Sequence, residues 1–300
     1  MKLKKICFFI LILINFSYVF GNTDLNKTKT EIETELNYPL NFNFSISHFL
    51  KFYRPNTESK YTELEFKASL KPANILGSFN LKLAYIPFVN FIASTNLGTG
   101  WAYPALNFYG LAENKNINKL QVIKPLYFSK FFLKAEGGIE LYFDLNSQIE
   151  SEWANLLLKT SHTINYKALI PSKDTDFWFF DNDDGENRNG ARYTGTYSIE
   201  YNMPLYLNTI RLELISYKNL YKPLPFTKNK AEQLWTFELK NELFFQASEK
   251  TRIKLQAVWK TAPIYYNYKD ELHFTQKIIN SKKNIGMFFE SVSASLIFKL

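Results

Sequence analysis

The chain has 300 residues, 46% hydrophobic and 17% aromatic, yet its mean hydropathy is -0.23, so apolar side chains are interleaved with polar ones instead of gathered into blocks. Its formal charge of +8 is spread through mixed acidic and basic segments, unlike a nucleic-acid binder, whose Lys and Arg cluster on one face. The single cysteine, Cys7, excludes a disulfide within the chain.

Lys2, Lys4 and Lys5 precede an apolar run from Ile6 to Ile14 and a small-residue region ending at Val19 and Gly21. This is the pattern of a secretory signal peptide over residues 1–21, with the mature chain starting at Asn22. The run is too short to cross a bilayer as a helix. Cleavage removes Cys7, and with it any thiol chemistry; the three leader lysines leave too, taking the net charge from +8 to +5.

The first clear element spans residues 36–52, where Leu36, Tyr38, Leu40, Phe42, Phe44, Ile46, His48, Leu50 and Phe52 alternate with mostly Asn, Ser and Lys. A period of two is that of a strand with one apolar face. Further strands follow over 64–70 and 79–89. Residues 91–127 are rich in Asn and read as a long loop, or as a segment hiding one hairpin. Clean alternation returns over 131–145, 156–170, 193–203, 210–214, 235–247, 253–259 and 287–300. Connections are short at Pro72, Asn146, Pro204 and Glu249, and longer after Tyr53 and near 91–127, 171–190, 218–232 and 262–285.

Long aromatic strands, alternating turn lengths and an even strand count predict an all-β fold, an antiparallel up-and-down transmembrane β-barrel of about 10 strands, or 12 if 91–127 contains a hairpin. Residues 22–300 then form one domain, with both termini at the short-turn end. A soluble β-sandwich is the competing architecture. The expected seam joins the first strand, 36–52, to the last, 287–300, because an open sheet edge is not tolerated in lipid. On this reading His48 to Tyr53 project outside the cell, and Glu290 lies on the lipid side at an interface.

The last strand carries apolar residues at every second position from Leu300 back to Val292, which resembles the carboxy-terminal signal read by the outer-membrane assembly machinery. That pattern usually ends in Phe; here Leu300 is last and Phe298 lies two before it. The whole mature chain, rich in Phe and Lys, resembles spirochaetal outer-membrane porins in layout and composition. The resemblance implies a bacterial outer-membrane location and a pore, and it transfers no site residue.

Polar faces turned inward make Lys67, Lys82, Lys134, Glu136, Glu140, Lys159, Lys167, Arg192, Arg211, Lys240, Arg252 and Lys254 the candidate pore-lining residues. A barrel of this size lies between those filled by their own side chains and those holding a water channel, so the expectation is a narrow passive channel for small solutes, anions among them. The alternative is a surface adhesin or ligand-binding barrel. Its candidates are the loop residues Phe177, Trp178, Phe179 and Phe180, with Asp181, Asp183 and Asp184 behind them. The aromatic run can dip into lipid, fold into the barrel mouth or bind an extracellular ligand. The acidic run lacks the spacing of an EF-hand, since Ala191 stands where the bidentate Glu belongs. Catalysis is not expected: His162 and Ser161 are adjacent and point to opposite faces, and Asp174, Asp176, Asp270 and His273 imitate a barrel protease only loosely. No cofactor is expected.

Overall fold

The computed structural model describes the chain outside residues 1–24, 39–40, 55–56, 104–107, 118–119, 146–152, 154, 173–176, 182–186, 222–232 and 265–284. The expected signal peptide lies outside the described residues. The strands in chain order are β1 (Leu25–Tyr38), β2 (Asn41–Arg54), β3 (Thr57–Lys71), β4 (Asn74–Ile86), β5 (Val89–Gly100), β6 (Ala102–Tyr103), β7 (Phe108–Tyr109), β8 (Leu111–Ile117) and β9 (Leu120–Pro125). They continue with β10 (Phe131–Asp144), β11 (Leu156–Ile170), β12 (Phe177–Phe180), β13 (Gly190–Asn202), β14 (Leu207–Asn219), β15 (Thr236–Gln246), β16 (Thr251–Pro263) and β17 (Ile285–Lys299).

Twelve of these close into one antiparallel barrel, in the order β1, β2, β3, β4, β5, β10, β11, β13, β14, β15, β16, β17 and back to β1. Closure excludes the sandwich. The outer face is a band of aliphatic and aromatic side chains; Ile164 is 59% exposed, Leu97 52% and Val292 44%. Such a surface suits lipid and not water, and its strand-by-strand alternation with a polar interior is that of a transmembrane barrel.

The count of twelve arises differently from the expected hairpin. Residues 36–52 are not one strand: Leu36 and Tyr38 end β1, and residues 41–52 belong to β2, which pairs back on β1 with Asn41 opposite Asn37. β1 escaped notice because its outward positions include Thr28, Thr30 and Thr34, so its lipid face reads as polar. The other added strand is β5, drawn from the segment expected to be a loop. Its pattern is blurred by inward Ile92, Gly98 and Gly100 and by outward Thr95 and Thr99.

Both additions change which end of the barrel each turn occupies. Since β1 runs away from the termini, β2 returns to them, so His48 to Tyr53 lie at the terminal end and not outside. The Pro72-Ala73 turn sits at the opposite end, among the long loops. Closure is made by β17 against β1, with Leu36 opposite Ala294 and Glu31 opposite Lys299, not against the strand carrying Phe42 to Phe52. Glu290 is also reassigned. A register shift between Val258 and Trp259 inserts it as the extra residue of a bulge, and its carboxylate accepts from Lys260 Nζ at 2.8 Å.

Candidate functional site

Alternation places Lys67, Lys82, Lys134, Glu136, Glu140, Lys159, Lys167, Arg192, Arg211, Lys240, Arg252 and Lys254 on the inner side of the barrel wall. Register then decides how they meet. Glu200, Arg211 and Glu242 stand side by side on β13, β14 and β15. Arg211 donates from Nη2 to Glu200 Oε2 at 2.6 Å and from Nη1 to Glu242 Oε2 at 3.0 Å, while Lys159 lies 3.7 Å from Glu200. Lys240 reaches Glu213 and Glu238, at 3.4 and 3.1 Å. Glu140 accepts from both Lys82 and Asn90 at 2.7 Å. Lys134 pairs with Glu136.

The closing seam has its own network. Glu33 on β1 holds Lys254 of β16 at 2.9 Å and Lys67 of β3 at 3.5 Å, each two strands away. These lysines can reach because the intervening inward positions are small: Ser45 and Ser47 on β2, Ser293 and Ser295 on β17, all buried. Arg252 comes within 3.9 Å of Glu31. The glutamates Glu31, Glu33 and Glu35 come from the strand that the sequence reading missed. They offset much of the basic excess expected of the lumen.

Arg192 stands apart. Its guanidinium lies 4.0 Å from the Tyr217 ring, and among the described residues it makes no ion pair. On the other side of the lumen, Glu63, Glu65, Asn80, Lys82, Ser94 and Glu136 line a cavity of about 310 Å³. Glu65 there accepts from Asn80 Nδ2 at 2.8 Å. Inward Ile92, which confused the strand pattern, forms part of the same wall.

At the long-loop end the chemistry changes. β12 pairs with β8, and β8 with β9, forming a three-stranded sheet outside the barrel. Its apolar side chains meet the inward residues of the barrel mouth: Leu111, Leu126 and Trp178 are buried with Phe132 and Leu169, and Leu76 and Phe180 pack against them. Phe180 stacks on Phe132 at 4.4 Å between centroids. Gly98 makes room, since a Cβ there would lie 3.1 Å from the Phe180 ring and 2.9 Å from Leu76. Gly110 lets the loop approach the Pro72-Ala73 turn; its Cβ would stand 1.7 Å from the Ala73 carbonyl oxygen. We refer to this sheet as the cap.

Polar clasps complete the docking. The Asn189 carboxamide accepts from the Leu169 backbone N–H at 2.8 Å and from Trp178 Nε1 at 3.2 Å, and donates to the Leu169 carbonyl at 3.3 Å. Asn189 thereby serves Leu169 as a strand neighbour would. Asp181 accepts from Lys71 and from Asn74 Nδ2, and Lys130 pairs with buried Glu113. Sequence reasoning singled out Phe177 to Phe180 and Asp181, but not Asn189, Asn74 or Glu113, whose roles depend on contacts distant in the chain. Of the three fates open to the aromatic run, folding into the mouth is the one observed. Phe177, Trp178 and Phe179 are buried, so the run presents little apolar surface to a ligand. Asp183 and Asp184 lie outside the described residues.

Among the described residues, His48 and His162 do not assemble a catalytic group. His162 faces outward, bonded to the Tyr193 hydroxyl at 2.6 Å and near Thr160 at 3.3 Å, while Ser161 faces inward. His48 bonds Thr30 Oγ1 at 2.9 Å. Asp174, Asp176, Asp270 and His273 lie outside the described residues.

No family model matches the sequence, and no curated protein matches it. Among solved structures the chain is similar in fold to the NanC porin, at 9% identity over 90% of this chain and 100% of that one, with a TM-score of 0.43. It is also similar to the translocator domain of the autotransporter NalP from Neisseria meningitidis (6% identity, 98% and 97% covered, TM-score 0.41). LpxR from Salmonella typhimurium is a third (7% identity, 90% and 99% covered, TM-score 0.40). Values this low carry no argument about function, and they lend no support to a spirochaetal origin.

Proposed function

We propose that this protein is a narrow channel of the bacterial outer membrane, passing small polar solutes with a weak preference for anions, and that it is not an enzyme. The observation that carries the proposal is an apolar outer band backed by an inner wall of ion pairs, one side of which, from Glu63 to Glu136, borders a cavity of about 310 Å³. A wall of this kind favours a hydrated, nearly neutral passage, because each paired charge keeps polarity without adding much net field. The anion preference rests on Arg192, a cation stacked on Tyr217 instead of ion-paired, together with what remains of the basic excess. The cap over the mouth restricts entry. The last strand, β17, delivers the chain to the assembly machinery.

Single-channel recording of the refolded protein in planar bilayers tests this. Discrete conductance steps are expected, with a reversal potential in a salt gradient displaced toward the anion. A bilayer that stays silent would remove the channel, and displacement toward the cation would remove the anion preference alone. The adhesin alternative is weaker because its apolar candidates, Phe177 to Phe180, are occupied in holding the cap.

A further inference from the structure

The outward face of the barrel carries several polar side chains, and many of them are satisfied within the chain. Thr30 bonds His48 at 2.9 Å, Thr62 bonds the Tyr85 hydroxyl at 2.6 Å, and His162 bonds the Tyr193 hydroxyl at 2.6 Å. Ser216 donates to the carbonyl of Gly195 at 3.2 Å. Asn241 is different. Its neighbours Lys240 and Glu242 are ion-paired in the lumen, so alternation turns its carboxamide toward lipid. It is half-buried and stands at the centre of β15, opposite Leu212 on one side and Ala257 on the other. Among the described residues, that carboxamide has no hydrogen-bond partner.

An amide at this depth has neither water nor lipid headgroups to bond with, and leaving it unpaired in hydrocarbon is costly. A polar group within a membrane-spanning segment therefore points to a partner at the same depth. We propose that Asn241 marks the contact surface for a second copy of this chain, forming a dimer about a two-fold axis along the membrane normal. Two copies inserted in the same direction hold each residue at one depth, and a two-fold axis then sets Asn241 against Asn241. The carboxamide suits this because it carries both donor and acceptor and so complements itself, as an isologous contact requires. Ala257 on the neighbouring strand β16 and Ala294 on β17 beyond it are small outward residues that let the two walls approach closely, as small residues do between membrane helices. The inference needs the barrel to lie in a membrane; it does not need it to conduct.

The test uses the full chain with Cys7→Ser, refolded into phosphatidylcholine vesicles. Asn241→Cys is expected to give a disulfide-linked dimer on mild oxidation, while Ala93→Cys, on the far wall, is not. Asn241→Leu is expected to keep the barrel, as shown by heat-modifiable migration on gels, and to weaken dimerisation in bilayers about tenfold. Equal cross-linking at positions 241 and 93, no cross-linking at 241, or an unchanged dimer with Asn241→Leu would each overturn the proposal. Conductance is recorded separately, so loss of the dimer and loss of the channel are distinguishable.

Discussion

The mouth and the middle of one lumen are held by different forces. At the long-loop end, Trp178, Phe180 and Leu111 are pressed against Phe132 and Leu169, and the polar groups present are clasps such as Asn189. In the middle, the wall is knit by ion pairs organised by Arg211 and Glu33 and set among small and neutral side chains such as Ser45, Ser295 and Asn165. The mouth is dry and short-range, so it should act as a docked element that is either in place or not. The middle is charged and partly solvated, so it should respond gradually to salt and to single charge changes.

Removing the cap breaks the comparison most severely. Deleting residues 111–125 and bridging the gap with a short flexible linker should raise single-channel conductance several-fold. An unchanged conductance would mean that the mouth is not the restriction. Trp178→Ala acts on the same contact with less force. Loss of a buried indole costs about 3–5 kcal/mol, enough to release the cap part of the time, and hydrogen exchange at the Leu111 amide should speed up accordingly. Asn189→Ala should have a smaller effect of the same kind, since the 3.3 Å contact to the Leu169 carbonyl is weak and the main loss is the Leu169 N–H left unpaired, at about 1–3 kcal/mol.

Changes in the middle are expected to be milder and of another type. Glu33→Gln leaves Lys67 and Lys254 facing each other across the seam, and should lower the temperature at which the barrel loses its heat-modifiable migration. The cost should fall below the ~3–5 kcal/mol of a fully buried pair, because both lysines keep contact with solvent. Conductance, by contrast, should hardly change. Arg192→Gln should move the reversal potential toward zero by reducing anion preference, and Glu200→Gln, which frees Arg211 and Lys159 from one carboxylate, should move it the other way. Identical shifts from the two would refute charge as the basis of selectivity.

Salt gives the smallest effect and the sharpest contrast. Raising ionic strength from about 0.1 to 1 M shortens the screening length from about 10 to 3 Å, so selectivity should fade. Protection of the cap amides should persist under the same conditions. Cap exchange that follows ionic strength would show that Lys71–Asp181 and Lys130–Glu113, and not apolar packing, hold the mouth.

Much of the barrel was legible in the chain because lipid imposes the same demand on every strand. Most outward side chains on the strands had to be apolar, with exceptions such as His162, Ser216 and Asn241, and so ten strands announced themselves. The inward direction of Lys82, Arg211 and Lys254 followed from the same periodicity. What hid β1 and β5 was local chemistry, threonine turned toward lipid and glycine or isoleucine turned inward. Omitting them placed the Pro72 turn and His48 to Tyr53 at the wrong ends.

The sequence by itself determined a lipid-facing period of two, an antiparallel meander and an interior of mixed charge, since these depend on single strands and their nearest turns. The tertiary structure decided which strands meet at the seam, which glutamate each lysine reaches, and that Phe177 to Phe180 fold inward. Those outcomes depend on register and closure. Ser45 and Ser295 can carry lysine arms toward Glu33 only after β1, β2 and β17 have aligned, and Asn189 can clasp Leu169 only after a loop has returned to the mouth.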